Sequence, residues 1–427
     1  MSFLDPELVL QPWFHPPPSH SQLYPLMLDG LHNPSSISSK YFAWAHLWLP
    51  IISKSRLESE LTDPSASLPP EMQVLLFAMK LIMWRPSQEP SSRNGKTAEY
   101  RLIKQSFAAA EDSGDLNLRL LQALIIVATY ELAHAIYPAA YFTVAQCVRY
   151  GTALQLHKQR RNEVMHLNLE DQEERKRVWW ATIILDQICS HSMPISPDPR
   201  PDDLLPIHDR DWDNNSIDHA RMYTVSSPAS TNMGMFARLS QASYLMGRVF
   251  HHTDNPTGYS DFDQDEGIRL DKALRALLNL IYEEDATNFV QVCPQTAICF
   301  TALIKLHTKP GTPLKAAETL ELLRAIADES TLNIVLFFRR EPWSLEKSSP
   351  FLLHWTYGIA VTFLDIWKAL GAGNSGVEEG ENFMNADQLI NEARQGFETM
   401  RRKLSLLGTQ WCAADVYLRL LDIRMAA

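Results

Sequence analysis

The segment from Glu173 to Cys189 restricts the fold of this chain more than any other segment. It begins with charged residues and continues from Val178 as a run that is apolar at almost every position. Such a run is typical of a helix that is buried on all sides within a helical protein. Asp171 and Glu174 fall near the predicted start, where carboxylates favour the positive end of the helix dipole. We therefore predict a central, buried helix with a charged beginning.

Helical periodicity extends over most of the remaining chain, because apolar residues recur at the spacing that places them on one side of a helix. The predicted helical segments are 38–61, with a kink or break at Pro50, and then 71–84, 98–110, 116–135, 139–157, 236–250, 267–282, 294–307, 314–338, 351–370, 385–406 and 411–425. No useful stretch alternates polar and apolar residues, and no pair of turn residues predicts a hairpin. The expected fold class is all-α, a large, bundle-like assembly of helices.

The predicted domain organisation has three parts. Residues 1–37 contain closely spaced prolines, which disfavour a helix, so we expect a disordered, proline-rich lead. Residues 38–250 are expected to form the main helical core, and residues 251–427 a helical continuation of the same domain. Residues 226–232 and 251–265 are expected to be loops.

Charge and cysteine content restrict the classes of function. A formal net charge of −11 argues against a domain that binds nucleic acid by itself, because binding requires clustered Lys and Arg to neutralise the phosphates. The five cysteines, at 147, 189, 293, 299 and 412, include no pair with the spacing of a zinc knuckle. Since they are odd in number and lie mostly in apolar helical segments, we expect free, buried thiols in a reducing compartment. Neither a metal site nor another cofactor is predicted.

Two further features concern location. The N-terminus lacks the basic start and apolar run of a secretory signal. The longest apolar segment, 351–370, contains His354, Asp365 and Lys368, which predicts a buried helix rather than a membrane span. We expect a soluble, intracellular protein with no membrane contact.

Asp186 interrupts the apolar part of the central helix. Because an unpaired buried carboxylate is strongly destabilising, we predict that Asp186 is paired with Arg149, Arg175, Arg177 or His157. A catalytic role for Asp186 is the disfavoured alternative, since no nucleophile or second carboxylate lies at a suitable spacing.

A group of basic residues lies around the connector that precedes the central helix. It contains Lys158, Arg160, Arg161 and Lys176. Two interpretations are open: a solvated helix end and loop, or a basic patch that contacts an acidic partner.

Five short motifs follow one another between residues 38 and 250. They are Tyr41-Phe42 with His46 and Pro50-Ile51-Ile52; Leu121 to Leu124 with Tyr130; Arg149 with Ala153-Leu154 and Leu156-His157; Glu173, Arg175, Lys176, Arg177, Trp179 and Trp180 with Leu185-Asp186; and Pro194 with the loop from Asp202 to Pro206.

In this order the motifs resemble the fungal-specific transcription factor domain, the middle homology region of fungal zinc-cluster regulators. Each motif is weak alone, and the resemblance rests on their common order. The chain departs from the family pattern at Gln155, where glycine is usual, and at Met193-Pro194, where Gly-Arg-Pro is expected. On this interpretation the motif residues are structural, and none is catalytic.

The resemblance implies a nuclear regulator of transcription and not an enzyme. Family members typically read DNA through an N-terminal zinc cluster with six cysteines, whereas this chain has no cysteine before Cys147. The resemblance therefore implies either a regulator that reaches DNA through a transcription-factor or coregulator partner, or a shortened product. Proteins of this shortened kind accompany fungal secondary-metabolite gene clusters, so control of such a cluster or pathway is expected. A small-molecule effector is a further candidate partner.

Two other functions stay open. One is a ligand-binding sensor, or a decoy that pairs with full-length relatives. The other is an α-helical enzyme, which is disfavoured because the chain has no glycine-rich phosphate loop, nucleophile elbow or paired-histidine zinc motif.

Overall fold

The fold is known from a computed structural model. It describes residues 31, 33–62, 68–87, 89, 93–158, 168–189, 194–217, 221–228, 231–285, 294–308, 319–320, 323–324, 326–328, 331, 348–372 and 386–427. Most of the predicted lead, residues 1–30 and 32, therefore lies outside the described residues, as does most of the predicted helix 314–338.

The chain divides into two compact units, residues 1–241 and 242–427. The helices that begin in the first unit are α1 (Pro34–Trp44), α2 (Lys54–Leu61), α3 (Pro70–Ile82), α4 (Ala98–Ser113), α5 (Leu118–Ala133), α6 (Ala139–Ala153), α7 (Leu169–Cys189), the short α8 (Asp209–Asp213) and α9 (Met235–Asp254). A single 3-10 turn, Ala45–Leu47, follows α1. Within the described residues the all-α prediction is confirmed.

Helix α5 lies at the centre of the first unit and contacts α3, α6 and α7. Every residue from Leu120 to Tyr130 is buried, as its nearly all-apolar sequence requires. The helix begins after Asn117, whose side-chain oxygen accepts a hydrogen bond from Leu120 N at 3.0 Å. This cap satisfies one of the backbone donors left open at a helix start.

Helix α7 is the predicted central helix, and its burial is confirmed. All residues from Val178 to Ile188 are buried, and α7 contacts both α5 and α6. The charged start is also buried at Glu173, Glu174 and Arg177, which the apolar pattern alone did not predict.

The described part of the first unit also contains a minimal two-stranded antiparallel sheet. Strand β1 (Leu204–Leu205) pairs with β2 (Tyr223–Thr224), with Leu204 opposite Thr224 and Leu205 opposite Tyr223. The prediction of no extensive sheet is consistent with this two-residue ladder, which holds together the loop after α7.

The second unit contains the end of α9 and, among the described residues, five further continuous helices. These are α10 (Ser260–Asp285), α11 (Pro294–His307), α12 (Phe351–Gly371), α13 (Ala386–Leu407) and α14 (Ala413–Ala426). Helix α11 packs between α10 and α12, and α12 packs on both α13 and α14. None of the described helices is both long and apolar enough to cross a lipid bilayer.

Two predicted boundaries were wrong for identifiable reasons. Helix α1 starts at Pro34, inside the predicted disordered lead, because proline suits the first helical position, and Asn33 caps that end by accepting Ser36 N at 2.9 Å. The predicted loop 251–265 is largely helical, since α9 extends to Asp254 and α10 begins at Ser260. The continuity of residues 251–427 with the core as one domain stays a prediction.

Candidate functional site: the polar network of helix α7

Arg177 is the most completely buried charge of the central helix, with a fully enclosed side chain. Its Nη1 donates to Pro50 O at 3.3 Å and to Asp209 Oδ1 at 2.9 Å, and its Nη2 donates to Ile207 O at 2.9 Å. The guanidinium carbon also lies 5.0 Å from the ring centroid of Trp212. Arg177 thus joins the segment after α1 to the segment that leads into α8, as the rigid fork of a guanidinium allows.

Glu173 completes this part of the network. Its Oε1 accepts Arg177 Nε and Ile207 N, both at 2.9 Å, and its Oε2 accepts Lys176 Nζ at 2.7 Å. Each carboxylate oxygen is therefore used within the protein. Lys176 is not at the surface, because its side chain is 10% exposed and paired with Glu173. The structure does not place Lys176 where the predicted basic patch requires it.

Glu174 organises the other side of the helix start. Its Oε1 accepts Ser53 N and Gln122 Nε2, both at 2.9 Å, and its Oε2 accepts Arg56 Nη1 at 3.0 Å. Burial raises the pKa of Glu174, whereas these hydrogen bonds and the Arg56 charge act in the opposite direction. Glu174 therefore fixes the start of α2 and the middle of α5 to α7.

The two signature tryptophans fill space and hold a loop. Trp180 donates from Nε1 to Leu204 O at 2.9 Å, which fixes β1 against α7. Trp179 covers Gly151 of α6 so closely that a Cβ there would lie 2.8 Å from the indole ring. The ring centroids of His157 and Trp179 are 6.1 Å apart. Glycine at 151 is thus what lets α6 approach α7.

Asp186 is buried, as predicted, with 1% of its surface exposed. Its Oδ2 accepts the backbone Ser196 N at 2.6 Å. The sequence prediction considered only cationic side chains and did not foresee this backbone donor. Asp186 thereby fixes the segment that follows Pro194 to the last turns of α7.

The turn after α6 accounts for the motif residues around Leu156. Helix α6 ends at Ala153, and Leu156 N donates to Gly151 O at 2.9 Å while Gln155 N donates to Thr152 O at 3.0 Å. This is the Schellman arrangement, with Gln155 at the left-handed position and φ of 57°. Arg175 Nη2 donates to Leu154 O at 2.6 Å and so attaches the turn to α7.

The remaining predicted residues are not all brought together. Arg149 and Lys158 are exposed, Pro194 is half-buried, and Leu156 is buried at 1% exposure. Arg160 and Arg161 lie outside the described residues. The basic patch therefore stays a prediction for Lys158, Arg160 and Arg161.

Sequence reasoning missed two acidic residues that complete the network. Asp209 accepts Arg177 Nη1 through Oδ1 and Phe236 N at 3.1 Å through Oδ2. Asp213 Oδ1 accepts a hydrogen bond from His46 Nε2 at 2.9 Å. Burial acts to raise the pKa of Asp213, but the hydrogen bond and the charge of His46 lower it below its usual value. Nothing in the local pattern around residues 209–213 distinguishes these carboxylates from ordinary loop acids.

The chemistry of this network is that of a structural clamp. Its charged side chains bind backbone amides and carbonyls of three loops. A catalytic acid or nucleophile would need the same side-chain atoms free to contact a substrate. Over the described parts of the chain, no three His, Cys, Asp or Glu side chains are grouped to hold a metal ion.

Comparison with known proteins agrees with the motifs. Residues 39–282, more than half of the chain, match the family described as "Fungal specific transcription factor domain". The chain is also similar to a protein named "Transcription factor BOA15" from Botryotinia fuckeliana (strain B05.10), with 40% identity over 156 residues, which are 36% of this chain and 85% of that relative. No solved structure matches.

The chain belongs to the fungal-specific transcription factor domain family. The match extends to residue 282, beyond the end at 250 that the motifs suggested. The α7 network contains the most distinctive of those motifs, so the family signature corresponds to the internal clamp of the first unit.

Proposed function

We propose that this chain is a nuclear, non-catalytic regulator of transcription that reaches its target genes through a DNA-binding partner. The family match over residues 39–282 carries the proposal, and the similarity to a named transcription factor supports it. The partner is a transcription factor or coregulator, and the controlled genes form a pathway or secondary-metabolite cluster.

Two properties of the sequence support recruitment through a partner. The 427 residues contain five cysteines, so they cannot supply the six ligands of a binuclear zinc cluster. A net charge of −11 disfavours tight binding to the phosphate backbone. The described charges of α7 are used internally, so they do not form a DNA-binding surface either.

The regulatory part of the proposal is tested by deleting the gene in the source organism and measuring all transcripts. We expect the transcripts of a group of neighbouring genes to change and to return when the full chain is restored. Unchanged transcripts under conditions in which the gene is expressed would contradict a regulatory role.

The partner part is tested with promoter fragments of the affected genes in a mobility-shift experiment. The purified full chain alone should leave these fragments unshifted at physiological salt. Nuclear extract from the strain with a tagged chain should give a complex that a tag antibody shifts further. Binding by the purified chain alone would show that no partner is needed.

A further inference from the structure

The start of helix α10 exposes aromatic side chains in a strongly acidic segment. Tyr259 is 76% exposed and Phe262 is 57% exposed, and Ile268 further along is 45% exposed. Exposed apolar side chains that lie close together on a soluble protein often mark an interaction surface. These residues belong to the second unit and take no part in the α7 network.

The exposed aromatic and acidic side chains at the start of α10 are close neighbours. Tyr259, just before α10, is three residues from Phe262, and Asp261 is four residues from Asp265; side chains at these spacings are neighbours on a helix surface. We call these four residues the α10 ridge. An amphipathic helix that docks in a groove of another protein presents its anchors at the same spacing.

Local hydrogen bonds hold the start of the ridge in place. Asp263 Oδ1 accepts Thr257 N at 3.1 Å and Thr257 Oγ1 at 2.7 Å. Asp263 N also donates to Tyr259 O at 3.0 Å. The turn before α10 is therefore defined, and less side-chain and backbone freedom is lost when a partner binds there.

The sequence around the ridge is rich in carboxylates. Between His252 and Arg269 the sequence contains five carboxylates and no Lys or Arg: Asp254, Asp261, Asp263, Asp265 and Glu266. Three of these have structural partners, since Asp254 pairs with Lys305 at 3.1 Å, Glu266 pairs with Arg248, and Asp263 accepts hydrogen bonds from Thr257. Asp261 and Asp265 form no hydrogen bond or ion pair with any residue that the structure describes. Their charge is available to a partner.

We propose that the α10 ridge is the docking surface for a transcriptional coregulator whose binding groove is apolar and edged with Lys or Arg. Tyr259 and Phe262 would enter the groove, and Asp261 and Asp265 would face its basic edge. Charge complementarity selects this occupant, because a second copy of the chain would oppose acidic surface to acidic surface. The proposal rests on the proposed function, and it adds the surface through which that function is transmitted.

The test uses the full chain fused to a heterologous DNA-binding domain and placed at a reporter promoter. This fusion bypasses the natural DNA-binding partner, so the result does not depend on how the chain reaches DNA. The fused chain should change reporter output from its basal level, in either direction. A fused chain that leaves the output at the basal level would overturn the docking proposal, while the transcript and mobility-shift experiments would still decide the proposed function.

Paired substitutions assign the effect to the ridge. Tyr259→Ala with Phe262→Ala should reduce the change in output by about fivefold or more, as expected for two anchor residues. Asp261→Asn with Asp265→Asn should reduce it about threefold, since these charges act at the rim. The matched control is Tyr141→Ala with Phe142→Ala, an aromatic pair in α6 that is 50% and 64% exposed, and it should leave the output unchanged.

The Tyr141/Phe142 control and a crosslinking experiment decide whether the effect comes from the ridge. The aromatic variants should keep the thermal midpoint of the unsubstituted chain, because the replaced side chains are exposed. The midpoint of the Asp261/Asp265 variant should fall only slightly, because Asp261 lies in the first turn of α10. Equal loss in the control pair, or full output from the Tyr259/Phe262 variant, would overturn the proposal. With Phe262 replaced by the photo-crosslinking amino acid p-benzoylphenylalanine, crosslinked peptides should come from an apolar groove flanked by Lys or Arg. Crosslinks to a second copy of this chain would contradict that assignment.

Discussion

At the scale of single residues, Gln155 replaces the glycine that is usual in the family and places a residue with a Cβ in a strained backbone conformation. The position requires a left-handed backbone, with φ of 57°, to close the turn after α6. Glycine adopts that conformation without a steric penalty, whereas a residue with a Cβ does not. The sequence motif located the position, and the structure explains why glycine is usual there.

Replacing Gln155 with glycine should therefore stabilise the protein. We expect the free energy of unfolding to rise by about 0.5–1 kcal/mol, less than the full strain because glycine also gains freedom in the unfolded chain. Urea denaturation measures the change. The control is Ala153→Gly in the last regular turn of α6, which should lower stability by about 0.5–1 kcal/mol. Equal destabilisation by both substitutions would contradict this account.

His134 gives the first unit a calculable pH dependence. Burial, followed by the charges of Arg85 and Arg93, lowers its pKa from 6.5 to about 3. The folded protein therefore keeps His134 neutral between these values, while the unfolded chain takes up a proton. Stability contributed by the neutral ring is fully present above pH 6.5 and is lost as the pH falls towards 3.

Between pH 6.5 and 5.5 this one group should remove about 1 kcal/mol from the free energy of unfolding. His134→Gln removes the titration, so its stability should vary less with pH over the same interval. Denaturation curves at both pH values for the two proteins give the difference. Parallel pH dependence in the two proteins would show that His134 is not the group responsible.

At the scale of elements, α7 acts as a clamp whose charged first half ties down three loops. Its apolar half was predictable, because the run from Val178 to Cys189 is apolar on all sides of the helix apart from three polar residues, which is typical of a buried helix. The partners of its charges were not predictable. Arg177 binds carbonyls at Pro50 and Ile207, which are far away in sequence and carry no side-chain signal.

Removing Arg177 should lower the free energy of unfolding far more than removing an exposed arginine that also pairs with a carboxylate four residues earlier. Arg177→Met leaves Glu173 buried without its main cation, so we expect a loss of about 3–5 kcal/mol. The matched control is Arg275→Met in α10, which breaks an exposed pair with Asp271 at the same four-residue spacing. That loss should be about 0.5 kcal/mol or less.

A double substitution measures the interaction energy between Glu173 and Arg177 apart from their contacts with other residues. Glu173→Gln together with Arg177→Met should be less damaging than the sum of the single changes, because each single change leaves the other member of the pair buried without its partner, and the double change removes both charges. Strictly additive losses, measured by denaturant unfolding, would argue against a coupled buried pair.

The close contact between α6 and α7 makes a second prediction for elements. Gly151→Ala would place a Cβ 2.8 Å from the Trp179 ring and should destabilise by about 1–3 kcal/mol. The control is Gly358→Ala in α12, where the added methyl meets no atom within 4 Å. That change should raise stability by up to about 1 kcal/mol, since alanine favours a helix. Similar effects at both positions would exclude the steric explanation.

At the scale of the whole molecule, fold class and family could be predicted, while the limit between the two compact units could not. Helical periodicity and the order of the motifs depend on local residue patterns, which the sequence displays directly. The limit between the compact units falls after Gln241, inside the continuous helix α9, so no loop or proline marks it in the sequence. Likewise the loop predicted over 251–265 was polar because α10 begins with an exposed acidic turn, not because the chain is irregular there.

The candidate site was predicted only in part, for a physical reason. Motif residues such as Glu173, Arg177 and Trp180 were predicted to be structural, and all three are buried. Lys176 was assigned to a surface patch because a basic residue beside other basic residues usually faces solvent. Its pairing with Glu173 three residues earlier depends on which face of α7 is enclosed, and that is decided by the packing of the whole unit.

The central claim, that this chain regulates transcription through a DNA-binding partner, is tested most directly by chromatin immunoprecipitation of the full chain tagged at its own locus. The account predicts enrichment at discrete promoters, above an untagged strain, that disappears when the partner recovered with the chain is depleted. Absence of enrichment, or enrichment that persists unchanged without any DNA-binding partner, would contradict the account.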